Sequence, residues 1–155
     1  MLHTLMRRAD DLLPLSHDHH SALVLARRCK QSVMPGAAVD THEAWRQVRE
    51  AFPRQLEPHF VIEERFLLPA LEGIGESELV ARVREDHSSL RALAANITAD
   101  AGMLERFGLL LEAHVRFEER QVFEVAQQRL PALALEAIAE ACRTIPRAAA
   151  SCTSE

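Results

Sequence analysis

One seven-residue motif occurs twice in this 155-residue chain and constrains its fold more than any other feature. His59-Phe-Val-Ile-Glu63-Glu64-Arg65 recurs as His114-Val-Arg-Phe-Glu118-Glu119-Arg120, so both halves contain H-x-x-x-E-E-R. A further pair of matching segments lies upstream, in which Asp18-His19-His20-Ser21 corresponds to Glu85-Asp86-His87-Ser88 and His20 aligns with His87. The chain therefore repeats the order His, then HxxxE.

Four long segments and one shorter segment carry apolar residues at helical spacing. Phe, Trp and Tyr make up only 5% of the chain and Gly occurs five times, which favours helices over a sandwich or barrel. Ser16 is expected to be the N-cap of the first helix. Pro53 and Pro58 interrupt the second, which predicts either a kinked helix or two helices that meet just before His59.

Short connections between these helices favour antiparallel neighbours. We therefore predict an all-α fold, an antiparallel up-down-up-down four-helix bundle with a short fifth helical segment at the C-terminus. A single domain is expected over residues 1–145, followed by a flexible C-terminal tail over residues 146–155.

The HxxxE spacing indicates metal-binding chemistry. Residues four apart lie on one helical face about 6 Å from each other, so both side chains can approach one point inside a bundle. Four imidazoles and two carboxylates in one core would cost several kcal/mol each without partners, and metal ions offset that cost. Imidazole and carboxylate ligands without thiolate suit iron, manganese or zinc, and two bridging carboxylates indicate two ions.

The charge and the cysteines exclude several other functions. The net charge is −5 with basic and acidic residues interspersed, so no nucleic-acid partner is expected. No apolar run reaches the roughly 18 residues of a membrane span, so we expect no membrane partner and a cytoplasmic location. Cys29, Cys142 and Cys152 form no C-x-x-C pair, which argues against a disulfide framework or an iron–sulfur site.

The two motifs resemble the hemerythrin-like family, the HHE cation-binding domains, over roughly residues 15–130. The resemblance implies a four-helix bundle around a non-haem diiron centre: two iron ions (Fe²⁺/Fe³⁺) with a bridging oxide or hydroxide, manganese or zinc being alternatives. It implies reversible binding or sensing of O₂ or a related small oxidant. The ligands that it carries over are His20, His59, Glu63, His87, His114 and Glu118.

One position departs from the oxygen carriers of that family, which have a second histidine one turn after the ligand of the third helix. Arg91 stands there, and we expect it to pair with a carboxylate such as Glu119 or to turn outward. Two octahedral ions have about twelve positions, of which about two stay open here. His17, three residues before His20, is the additional candidate ligand. Glu64 and Glu119 are expected to be partners of the ligands, with substitution for a ligand as the alternative.

Two classes of function remain, with a third that is weaker. The first is a binding module whose partner is O₂ or another small diatomic or oxidant ligand, and the second is a diiron enzyme that consumes peroxide, NO or O₂. The third is a structural bundle that a metal ion holds together. Tyr is absent and histidines outnumber carboxylates among the candidate ligands, which favours binding over oxidation. A sensor would need a protein partner, for which the exposed side of the C-terminal helical segment offers a surface.

Overall fold

All the secondary structure in the ranges that the computed structural model describes, residues 7–96 and 100–147, is helical. A 3₁₀ turn, Asp10–Leu12, precedes five helices. These are α1 (Leu13–Ser32), α2 (residues 41–73), α3 (Ser77–Ala94), α4 (residues 101–129) and α5 (Ala132–Thr144). The predicted all-α fold is confirmed.

Two of these helices contain wide π-helical turns. The segments of α2 are Thr41–Ala51, the π-turn Phe52–Leu56, Glu57–Ile62, the π-turn Glu63–Leu67 and Leu68–Gly73. Those of α4 are Ala101–Phe117, the π-turn Glu118–Val122 and Phe123–Arg129. Because Pro53 lies in the first π-turn and Pro58 just after it, α2 accommodates both rings without ending. The expectation of two separate helices meeting before His59 is therefore wrong.

Consecutive helices of the bundle run antiparallel. Residues toward the start of one helix contact residues toward the end of its neighbour. The pairs between α1 and α2 are Asp18–His59 and Arg28–Gln47, those between α2 and α3 are Glu57–Arg91 and Glu72–Arg84, and those at α3 and α4 are Glu76–Arg129 and Asp86–His114. The pairs between α1 and α4 are Ser16–Glu119 and Lys30–Glu112. These last two pairs close the bundle. α5 packs across the N-terminal 3₁₀ turn and the second π-turn of α2.

Helix starts follow capping chemistry at two of the long helices. Asp40 and Asp100 precede α2 and α4, and each carboxylate accepts the backbone N–H three residues on, at 2.7 and 2.8 Å. α1 departs from the prediction, because it begins at Leu13 with Pro14 in its first turn. Ser16 is therefore not an N-cap but lies inside α1.

The apolar core is divided into two clusters by a polar layer. On α1 the first cluster includes Leu15 and the second Ala22, and on α4 the corresponding residues are Phe117 and Val115. α5 covers the first cluster with Ile138. Among the described helices, none combines the length and the apolarity that a membrane span requires. Most of the predicted tail, residues 148–155, lies outside the described residues.

A glycine sets the close approach of α1 and α4. A Cβ at Gly108 would lie 2.8 Å from the Ala26 carbonyl oxygen and 3.2 Å from the Cys29 Cβ. We expect Gly108→Ala to destabilise the fold by about 1–3 kcal/mol, because the α1 backbone must shift. Gly73→Ala is the control, since nothing lies within 4 Å of the added methyl group. Urea unfolding checks this, and equal midpoints for the two variants would contradict it.

Candidate metal centre

Six ionisable side chains form the polar layer between the two apolar clusters. All are at most 3% exposed, and together they come from α1, α2, α3 and α4. They are His19, His59, Glu63, His87, His114 and Glu118. The structure thus brings five of the six predicted ligands together.

His19 occupies the place that the sequence analysis gave to His20. His19 continues the buried face of α1 that begins at Leu15 and goes on at Ala22, whereas His20 is rotated by about 100° and is exposed. This corrects the prediction. The signal was present in the sequence, because spacings of four and three residues link Leu15, His19 and Ala22. The upstream repeat should be aligned on Asp18-His19 and Asp86-His87.

The six groups form two overlapping sets of potential ligands. One set is His19, His59, Glu63 and Glu118, and the other is His87, His114 and the same two glutamates. Within each set the ligand atoms all lie within 4.8 Å of one another. Two histidines for each position and two shared carboxylates is the donor set that a pair of ions requires.

Most donor atoms of this layer lack hydrogen-bond partners, and the exception is the bond from His19 Nε2 to Glu118 Oε2 at 2.9 Å. Among the described residues, no hydrogen-bond partner is found for the Nε2 atoms of His59, His87 and His114. The same holds for both carboxylate oxygens of Glu63 and for Oε1 of Glu118. His59 Nε2 lies 2.9 Å from Glu63 Oε1, and His114 Nε2 lies 2.9 Å from Glu118 Oε1. Neither pair has hydrogen-bond geometry. Two donors on one octahedral ion lie about 3 Å apart, so the residues present fit a metal.

Each histidine of the layer turns its other ring nitrogen to a carboxylate. His59 Nδ1 donates to Asp18 at 2.9 Å, and His114 Nδ1 to Asp86 at 3.1 Å. His19 Nδ1 donates to Glu119 at 2.7 Å, and His87 Nδ1 to Glu64 at 2.9 Å. These bonds turn the four Nε2 atoms toward the two buried glutamates, where an ion would bind them. Glu64 and Glu119 thus bond the histidines of the layer, as the sequence predicts, whereas the equivalent bonds of the two aspartates are not apparent from the sequence pattern.

The two halves of the bundle are related by a pseudo-twofold pattern, and arginines extend it. Arg91 donates to Glu57 and to Glu64, the latter at 2.7 Å. Arg8 donates to Glu119 at 3.0 Å. Of the two alternatives for Arg91, the structure shows pairing with carboxylates. The partners are Glu64 and Glu57 instead of Glu119. Because the guanidinium holds Glu64 in place, it orients His87 indirectly.

A π-turn begins at each of the two shared glutamates. The Glu63 carbonyl accepts the N–H of Leu68 and the Glu118 carbonyl that of Phe123, five residues on in both cases. Such turns are frequent at functional sites, because the extra residue changes the phase of the helix. The repeated E-E-R marked these positions, but nothing in it specified the wider turn.

A cavity of about 340 Å³ reaches the layer from the side of α1, α2 and α4. Its apolar lining includes Leu56, Phe60, Leu111 and Val115, and it touches His19, His59 and His114. The exposed side chains of His17 and His20 also line it. His17, the additional candidate ligand, therefore lies at the cavity and outside the buried cluster.

Burial and mutual repulsion shape the protonation of the metal-free layer. Burial and the neighbouring charge of Glu118 raise the pKa of Glu63. Burial alone would lower the pKa of His59 and His114, but the adjacent glutamate and aspartate carboxylates raise it to about 10 for both. Without an ion, protons supply the positive charge that these carboxylates need.

The match to a known family agrees with this geometry. The model of the hemerythrin HHE cation-binding domain matches residues 8–126, most of the chain. The chain belongs to the hemerythrin HHE cation-binding family. No curated protein and no solved structure gives a significant match. As a member of this hemerythrin family, the chain has a metal-binding site with histidine and glutamate ligands.

Because His19 and not His20 lies in the buried layer, alanine variants of these two residues form a matched pair. His19→Ala should weaken metal binding by at least about 10- to 100-fold, because it removes a donor. His20→Ala should leave the metal content unchanged, since that ring is exposed. Metal analysis after dialysis against a chelator measures both. Loss of metal in the His20 variant alone would contradict the assignment.

Metal binding should release protons at neutral pH. In the metal-free protein the pKa of His59 is raised from 6.5 to about 10, so its stabilising contribution is complete below pH 6.5 and is lost as the pH rises toward 10. An ion needs the neutral ring, so apparent affinity should rise with pH, by about tenfold per unit for each proton released. Calorimetry in buffers of different ionisation enthalpy measures this. Affinity independent of pH and no proton release would argue against histidine ligation.

Proposed function

We propose that this protein is a non-haem diiron protein that binds or senses O₂, or a related small oxidant, in the core of its bundle. The observation that carries the proposal is that two potential metal positions share Glu63 and Glu118, and that most of their donor atoms have no hydrogen-bond partner. His19 and His59 would hold one iron, and His87 and His114 the other. Bound iron would supply reversible electron transfer to the small ligand.

The chain's own residues favour binding of a small ligand over a purely structural metal. The cavity beside the layer has room for such a ligand, and Leu56, Phe60 and Leu111 limit the water that reaches it. Phe60 also stacks on His87, with ring centroids 3.8 Å apart. A metal that only held helices together would need no such space.

The four carboxylates around the histidines keep the donors oriented. Because each Nδ1 proton is bound, each ring presents Nε2 to the centre in one fixed orientation. No tyrosine exists in the chain to carry a radical. Both features support reversible binding over an oxidase or peroxidase reaction.

Iron loading followed by an anaerobic O₂ titration tests this function. We expect two iron ions per chain, near-ultraviolet and visible absorption that develops with O₂, and reversal of that absorption under vacuum. Irreversible consumption of O₂ or peroxide with turnover would favour the enzyme instead. Preferential retention of zinc without any coloured oxidised form would favour a structural metal, and both results would contradict the proposal.

Phe60→Ala provides a variant that alters the cavity and leaves all six donors in place. Enlarging the cavity admits water, so the oxygenated form should decay faster while the iron stoichiometry stays at two per chain. Phe52→Leu is the control, because this buried ring contacts Phe60 edge-on but does not line the cavity. Equal decay rates in the two variants would contradict the protective role of the cavity wall.

A further inference from the structure

Arg147 reaches back from the end of α5 to the polar layer. Its Nη1 donates to the carbonyl oxygens of Cys142 at 3.0 Å and Ile145 at 2.8 Å, and its Nε donates to Asp18 Oδ2 at 2.6 Å. The side chain is only 11% exposed. Arg147 lies beyond residues 8–126, the part of the chain that the family model matches.

Asp18 connects this arginine to a candidate metal ligand. The same Oδ2 atom accepts the Nδ1 proton of His59 at 2.9 Å. An unconstrained aspartate can rotate its carboxylate, whereas a charge-assisted bond from a guanidinium anchored on two carbonyls fixes it. Arg147, Asp18 and His59 are thus joined by a continuous series of hydrogen bonds that ends at the buried Nε2 atom of His59.

In the part of the chain that the structure describes, the equivalent series of hydrogen bonds in the other half of the bundle has an aspartate and a histidine but lacks the arginine. Asp86 accepts the Nδ1 proton of His114 at 3.1 Å, but no arginine from the described ranges pairs with it. The pseudo-twofold pattern therefore breaks at this point. If Arg147 only anchored the end of α5, its Nε would not need to bond Asp18, because the two bonds to carbonyl oxygens already fix the side chain.

We propose that Arg147 is a positioning residue for the metal position of His19 and His59, and that α5 thereby forms part of the metal centre. This inference rests on the proposed function, since it concerns one of the two proposed iron positions. The arginine fixes Asp18, and Asp18 fixes the orientation and tautomer of His59. The two positions are therefore unequal, because among the described residues an arginine fixes the aspartate behind the histidine at only one of them.

Release of iron into a chelator from the fully loaded protein tests the proposal, with Arg147→Gln compared with Arg143→Gln. Arg143 lies on the same helix, but it is exposed and pairs with Glu140. We expect Arg147→Gln to release one of its two ions about 10- to 100-fold faster and to leave the other unchanged. Arg143→Gln should behave as the wild type.

Further variants separate positioning of His59 from general loosening of α5. Arg147→Lys should restore part of the slow release, because an ammonium can still pair with Asp18. Arg147→Gln should add little to Asp18→Asn, which interrupts the same series, but its effect should be additive with that of Asp86→Asn. Equal acceleration of both ions, or release as slow as in Arg143→Gln, would overturn the inference.

Failure of the proposed function gives a different result. Wild-type protein that takes up no iron would contradict that function, and the inference would then be decided on the metal-free protein. There the His59 Nδ1 proton should exchange with water faster in Arg147→Gln than in Arg143→Gln by nuclear magnetic resonance. Equal exchange would overturn the inference.

Discussion

Six ionisable side chains are buried between two apolar clusters, and the rest of the structure is arranged around that burial. Unpaired, such groups cost several kcal/mol each, and two carboxylates that face each other also repel. The metal-free layer neutralises itself with protons, as the raised pKa values of His59 and Glu63 indicate. Metal ions do so with better geometry, because the Nε2 and carboxylate atoms already converge.

The duplication of one helical pair explains how a short chain builds this layer. Each half contributes an Asp-His on one helix and an HxxxE-E on the next, and each half ends its ligand motif in a π-turn. Carboxylates from neighbouring helices then bind the Nδ1 atoms across the bundle. The site therefore depends on the packing of all four long helices, and the tight contact at Gly108 keeps α1 beside α4.

The sequence predicted the bundle and five of the six buried donors, because helical periodicity and HxxxE spacing are local properties. Aligning the repeat on the serine after the histidine pairs His20 with His87, and because one residue changes the helical face by about 100°, His19 takes the buried position instead. The bonds of Arg8 and Arg147 arise only when distant segments pack together, and the repeated E-E-R does not by itself specify the π-turns. Glu64 and Glu119 could be predicted as partners because they directly follow the ligands.

A crystal structure of the iron-loaded protein, with anomalous data at the iron edge, would locate the metal ions. We expect two anomalous peaks per chain, one beside the Nε2 atoms of His19 and His59 and one beside those of His87 and His114. Glu63 and Glu118 should contact both. A single peak, or a peak bound by His20, would contradict the assignment of two metal positions to the buried layer.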